Sequence, residues 1–264
     1  MDGKLYDNTP FKDIAEYLAK NGIAVIRYNK RTFSYGAELA QKFGGNFTVY
    51  EETIEDAILA TEILKSDPRI NKNKVFIVGL SMGGMLAPRI HAEGGNFAGI
   101  ISLAGSPRSL LEVSYDQNIA YIEENYEGDE KTAALLEMET EGRETIENIK
   151  NMSDSEAKRM PMAGGISAYY YKDMETRPIP EYVKNITVPF LIMQGSDDFQ
   201  VFAEKDFVAW QELLAGRDNA AFKLYDGLNH LFMKSTTGDL GEYEIKDSVD
   251  ENVLKDMAEW IKSN

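Results

Sequence analysis

The sequence predicts an α/β architecture: a mainly parallel sheet with helices on both faces and a helical insertion between two strands. Short, predominantly apolar runs recur at 23–26, 75–78, 99–103, 188–194 and 221–225. Continuous rather than alternating apolar character marks strands covered on both faces. Amphipathic helical segments lie between several of these runs, as crossover connections between parallel strands require. The third observation is a break in this rhythm from about 107 to 182, a stretch that is acidic and helical and has no buried-strand pattern.

In chain order, Thr9 reads as an N-cap with Pro10 at the first helical position. Phe11, Ile14, Ala15, Leu18 and Ala19 share one helical face, and Asn21-Gly22 stops the helix. A strand is expected at 23–26, followed by a polar loop from Arg27 to Tyr35. A helix over about 51–66 carries Ile54, Ala57, Ile58, Thr61 and Leu64 on one face and ends at Asp67-Pro68. The strand at 75–78 leads into a helix from Gly83 to His91, and 99–103 is the next strand. Inside the interruption, helices are expected around 116–126, 130–150 and 153–160, the last opened by the capping-box pattern Ser153-Asp154-Ser155-Glu156. The βα rhythm resumes with a strand at 188–194, a helix at 204–215, a strand at 221–225 and a closing helix at 249–262. The expected division is a core of 1–106 and 183–264 carrying a helical cap of 107–182.

The 264 residues suffice for one substantial domain. Lys and Arg number 28 against 44 Asp and Glu, a net charge of −16. Such a surface repels nucleic acid and anionic lipid, so neither is an expected partner, and a polyanionic substrate is disfavoured. The absence of cysteine excludes disulfides, thiolate metal sites and a cysteine nucleophile. No apolar run approaches the roughly 20 residues of a membrane span, and the N-terminus lacks the features of a signal peptide. The chain as written is therefore expected to be cytoplasmic.

Gly79-Leu80-Ser81-Met82-Gly83 matches G-x-S-x-G between an apolar strand and a helix. That strand–turn–helix context makes it a nucleophile elbow, in which a strained turn lifts the serine hydroxyl above the sheet edge. Small residues are expected around Ser81 because side chains would clash across the turn. The Met82 N–H, at the helix start, is free to hold a developing oxyanion. A serine needs a base, and only two histidines are present. His91 ends the helix that starts beside Ser81, where it is expected to complement the helix dipole. His230 follows the strand at 221–225, in a loop at the carboxyl edge where parallel sheets gather their catalytic groups. The acid that would orient it lies in Gln194-Gly195-Ser196-Asp197-Asp198, and the residues alone leave Asp197 and Asp198 both open. The order Ser, Asp, His is that of α/β hydrolases.

On these motifs the chain resembles α/β-hydrolase esterases of the serine-aminopeptidase-like and dienelactone-hydrolase-like branch, including bacterial cinnamoyl-ester hydrolases. The similarity runs over nearly the whole chain outside the cap. The family's acid stands in G-x-x-D-x-x-V, here Gly195-Ser196-Asp197-Asp198-Phe199-Gln200-Val201, which implies Asp198. Asn229-His230-Leu231-Phe232 resembles its histidine loop. The resemblance implies cleavage of small to medium esters with apolar or aryl acyl groups through an acyl-enzyme, without a cofactor. Leu80, Phe199, Leu231, Met162 and Tyr170 are the candidate pocket residues. The same triad would serve an amide or peptide hydrolase, and a non-catalytic binding protein is the alternative from another class. One departure bears on this choice. The family normally has strands and a His-Gly oxyanion loop before the first helix, and this sequence begins where that loop should end. A slot between 23–28 and 75–79 and weakened catalysis are therefore expected.

Neither H-E-x-x-H, a Walker A motif nor a dinucleotide fingerprint occurs, so no metal or nucleotide cofactor is expected. Asp239, Glu242 and Glu244 could attract a cation, but they read as a solvated acidic loop.

Overall fold

The computed structural model describes residues 3–264. Four strands form one sheet in the order β1-β2-β3-β4: β1 Phe76–Leu80, β2 Gly99–Leu103, β3 Phe190–Gly195 and β4 Ala220–Tyr225. All three pairings are parallel, with Phe76 opposite Gly99, Ile100 opposite Phe190, and Phe190 opposite Ala220. Their carboxyl ends, where Ser81, Asp198 and His230 follow β1, β3 and β4, therefore share one edge.

Four helices precede β2: α1 Pro10–Lys20, α2 Arg31–Phe43, α3 Glu55–Ser66 and α4 Met82–Ile90. Between β2 and β3 lie α5 Leu110–Asn125, α6 Gly128–Glu137, α7 Arg143–Asn151, α8 Asp154–Ala157, α9 Tyr169–Glu175 and α10 Ile179–Val183. The body is completed by α11 Val208–Leu213 and α12 Glu251–Ser263.

Alternate strand residues face opposite layers. Ile100 and Ile192 pack with Met85 and Leu86 of α4 and with Trp210 of α11. Ile101, Leu103, Leu191 and Met193 pack with Ile14 and Leu18 of α1 and with Val253, Met257 and Ile261 of α12. Each fully buried aliphatic side chain contributes roughly 1.5–3 kcal/mol, so the two layers hold the sheet from both faces.

In the segment between β2 and β3, Leu111, Ile146, Ile149, Ala157 and Ala168 form a small apolar cluster of their own. The expected capping box is formed: Glu156 N–H donates to Ser153 Oγ at 3.3 Å, and Ser153 N–H donates to Glu156 Oε2 at 2.8 Å. The later part of this segment is joined to the body. Tyr170 and Met174 belong to the main core, and Asp173 pairs with the buried Arg89 of α4 at 3.0 Å.

Two local expectations are corrected. The run 23–28 is not a strand. It lies across a cleft of about 620 Å³ from Val75, Phe76, Val78 and Leu80, and among the described residues no strand pairs with it or with the outer edge of β1. Val25 and Ile26 are accordingly left 40% and 38% exposed. Apolar composition supplies strand propensity, but a strand forms only against an available ladder edge. The anticipated slot is thus present, with the apolar run lining it. The region after it is also no plain loop, because Arg31 begins α2. This helix buries only Leu39, is kinked at Tyr35, and is tied by Arg31 to Glu55 and Asp56 at the start of α3.

Candidate active site

Ser81 stands between β1 and α4 with φ 57° and ψ −123°. A non-glycine residue at such an angle is strained, and the surroundings must hold it there. Ser81 N–H donates to Leu103 O at 2.8 Å, while Ser81 O accepts from Met85 N at 3.0 Å as the helix begins. The serine occupies the N-cap position, yet its side chain caps nothing, which leaves Oγ available. A Cβ on Gly79 would stand 2.1 Å from Gly83 O, and one on Gly84 would stand 2.7 Å from Ser102 Oγ and 2.9 Å from Gly79 O. A Cβ on Gly83 would meet nothing within 4 Å. The crowding that demands glycine thus falls on Gly79 and Gly84, a distinction the five-residue motif does not carry. Met82 is the first helical residue, so its N–H has no partner within α4.

Asp198 and His230 are each 4% exposed, and Asp198 Oδ2 meets His230 Nδ1 at 2.8 Å. A carboxylate can only accept, so the proton sits on Nδ1 and the Nε2 lone pair is left free. Gln194, itself buried, donates from Nε2 to the same Oδ2 at 2.7 Å, and Asp198 Oδ1 accepts the N–H groups of Gln200 and Val201 at 2.8 and 2.9 Å. Asp197 is exposed and accepts only from Ser196 Oγ among the described residues. No hydrogen bond within 3.5 Å joins Ser81 Oγ to His230 among the described residues. Free enzymes often close this contact only when substrate binds.

His91 sits at the far end of α4. Burial and the nearby Lys65 charge push its pKa down, and its Nδ1 accepts the Phe97 N–H at 3.0 Å. Its role is therefore that of a loop acceptor, which corrects the expectation of a charge complementing the helix dipole.

The candidate pocket residues fall in different places. Leu80, Phe199 and Leu231 pack in the core layer of α1 and α12. Tyr170 packs in the other layer beside Met82, its hydroxyl 3.5 Å from Met82 Sδ, and donates to Glu52. Burial and the Glu52 charge push the Tyr170 hydroxyl well above the usual phenol range. Met162 packs against the small helical cluster. Leu80 also lines the cleft beside 23–28.

The acidic loop holds a residue that sequence reasoning undervalued. Asp239 is half-buried and Glu244 exposed, but Glu242 is only 4% exposed. Its Oε1 accepts from Ser235 Oγ and from the N–H groups of Thr236, Thr237 and Gly238, and its Oε2 accepts from Asn229 Nδ2 at 2.8 Å. Burial opposes ionisation, but the Gly238 N–H, the Asn229 amide, the Ser235 hydroxyl and the Thr236 N–H outweigh it and hold the carboxyl down to about 2. Composition suggested a solvated loop. The signal that could have singled out Glu242 is the run of small and hydroxyl residues at 235–238, whose N–H groups can converge on one anion.

This parallel sheet, with a strained serine after β1 and an acid–histidine pair after β3 and β4, has the α/β-hydrolase fold. Residues 10–248 match the sequence profile of the prolyl oligopeptidase family (Peptidase_S9), and the chain belongs to that family. It is 34% identical to the esterase EstD of Thermotoga maritima over 99% of its own length, and it spans 58% of the length of that curated relative. The fold is also that of the Pyrococcus furiosus esterase Pf2001, with a TM-score of 0.55 at 15% identity over 96% of this chain and 74% of that one. Est1E from Butyrivibrio proteoclasticus is similar at a TM-score of 0.55 and 14% identity, over 99% of this chain and 82% of that one. No described helix is long and apolar enough to cross a membrane.

Proposed function

We propose that the chain is a carboxylic-ester hydrolase in which Ser81 is the nucleophile, His230 the general base and Asp198 the acid. The observation that carries this is the pairing of a strained serine, its hydroxyl uncommitted, with a buried acid–histidine pair at the same sheet edge. His230 Nε2 takes the Ser81 proton as Oγ attacks the acyl carbon. The Met82 N–H holds the oxyanion, and the imidazolium, stabilised by Asp198, returns the proton to the leaving alcohol. Water then repeats the sequence on the acyl-serine and releases the acid. The 34% identical relative is named an esterase, which supports the ester over other acyl substrates. The segment 107–182 acts as a helical cap under which a small to medium apolar or aryl acyl group enters, in a cytoplasmic protein.

A second reading has its own support. The matched family is named for an oligopeptidase, and the same triad cleaves amides. Turnover of p-nitrophenyl and cinnamoyl esters, set beside prolyl-peptide anilides, separates the two. Ester turnover lost in Ser81→Ala is the expected result. Hydrolysis of the anilides alone would install the peptidase reading, and no hydrolysis of either would leave a binding protein.

A further inference from the structure

The loop that carries His230 is shaped by one amide and one carboxylate. Asn229 is 2% exposed, and its Oδ1 accepts the N–H groups of Leu231 at 3.0 Å and Met233 at 3.2 Å. Asn229 N–H donates to Met233 O, and Phe232 sits at φ 59°. His230 is thus enclosed in a tight turn whose centre is the Asn229 side-chain oxygen.

An amide side chain can present either its oxygen or its nitrogen to those N–H groups, and only the oxygen can accept from them. The choice is made at the other end of the amide. Asn229 Nδ2 faces Glu242 Oε2, and a carboxylate, which only accepts, will take the nitrogen and not the oxygen. Glu242 is itself held rigidly, because its Oε1 collects four donors from 235–238. The next residue reaches the acid loop as well: Tyr243 Oη contacts Gln200, whose N–H donates to Asp198 Oδ1.

We propose that Glu242 is a positioning residue that aims His230 at Ser81 by fixing the orientation of the Asn229 amide. The inference rests on the reading of His230 as the base. Glu242→Gln keeps the oxygen that binds 235–238 but turns an NH2 group toward Asn229 Nδ2. Two donors then face each other, Asn229 is driven to flip, and the turn around His230 loses its acceptor. A histidine displaced by about 1 Å costs on the order of 10² in rate.

The geometry also specifies a rescue. In the double variant Glu242→Gln with Asn229→Asp, the new carboxylate at 229 accepts from the amide NH2 now at position 242 and still accepts from Leu231 and Met233. The bond between the two side chains is restored with its polarity reversed.

The test measures kcat per active site, titrated with a fluorophosphonate, together with KM and the thermal midpoint, using p-nitrophenyl butyrate. Glu242→Gln should lower kcat about 100-fold with KM changed less than about threefold, and the double variant should recover at least about tenfold of that loss. A folded and active double variant supports the proposal whether or not the single variant folds. A single variant with a lowered thermal midpoint and unchanged kcat per titrated site would show a purely structural residue and overturn it, as would a double variant no faster than the single. Wild-type protein that the fluorophosphonate does not label would instead overturn the reading of Ser81 itself, and this inference with it.

Discussion

The two flanks of the sheet use similar materials and end in opposite states. Beyond β3 and β4, Asp198, His230, Asn229 and Glu242 are buried polar groups; Asp198, Asn229 and Glu242 each take several partners from within a few residues, and the pairs Asp198–His230 and Asn229–Glu242 join those loops. Beside β1, the segment 23–28, apolar up to Ile26, faces across an open cleft the edge of that strand that no described strand pairs with, and part of it remains exposed. Polar loops can close on themselves, because an Asn or Glu finds backbone N–H groups in its own turn. An apolar strand has no such recourse, since its backbone groups must be met by another strand. The acid–histidine pair is therefore built within the loops after β3 and β4, whereas Ser81 is placed by β1 itself.

The largest effect that sharpens this contrast lies on the polar flank. Asp198→Asn should cut kcat on a p-nitrophenyl ester by about 10⁴ through the wrong histidine tautomer, with some loss of stability because its NH2 must face either Gln194 Nε2 or the N–H groups of Gln200 and Val201. Asp197→Asn, on an exposed side chain, should change kcat by less than about threefold. The reverse ranking would transfer the acid to Asp197.

The second effect is on stability. The Glu242 carboxyl is held down to about 2 from an ordinary value of 4.5. A depressed carboxyl contributes stability that is complete above about pH 4.5 and is lost as pH falls toward 2, roughly 3 kcal/mol over that window. Urea unfolding of wild type and Glu242→Gln at about pH 6 and about pH 3 should show the gap between them closing in acid. A gap that does not change with pH would mean that the carboxylate is not charged in its cradle.

The smallest effect tests the apolar flank. Ile26→Thr should cost less than about 0.5 kcal/mol, because that side chain is already well exposed. Ile101→Ala, in the fully buried β2, should cost about 2–5 kcal/mol. Comparable costs would show that 23–28 is a paired, buried strand in solution.

The same division governs what was legible in the sequence. The strands β1 to β3 were readable because each is a largely apolar run that finds a neighbour, β4 because its shorter apolar stretch, interrupted by Lys223, follows a helix in the βα rhythm, and the elbow because strand, glycines, serine and helix are contiguous. His230 and the Asp197-Asp198 pair followed from their positions after strands, and the choice of Asp198 rested on the resemblance to the family's G-x-x-D-x-x-V pattern. The run 23–28 looks like these strands, but whether it pairs depends on an edge that sequence does not display. The helix α2 was missed because Ser34, Tyr35 and Gly36 read as loop and because the contacts of Arg31 with Glu55 and Asp56 lie 24 and 25 residues away. Glu242 was missed because burial of a carboxylate depends on donors that converge only after folding, and Gly84 because the motif's regular spacing draws attention to Gly83.

The most direct test of the central claim is covalent. Wild-type protein incubated with a fluorophosphonate and digested should carry one label per chain on the peptide containing Ser81. Ser81→Ala should carry none, and Asp198→Asn should label far more slowly. Absence of labelling in the wild type, or labelling that persists in Ser81→Ala, would contradict the assignment of Ser81 as an activated nucleophile.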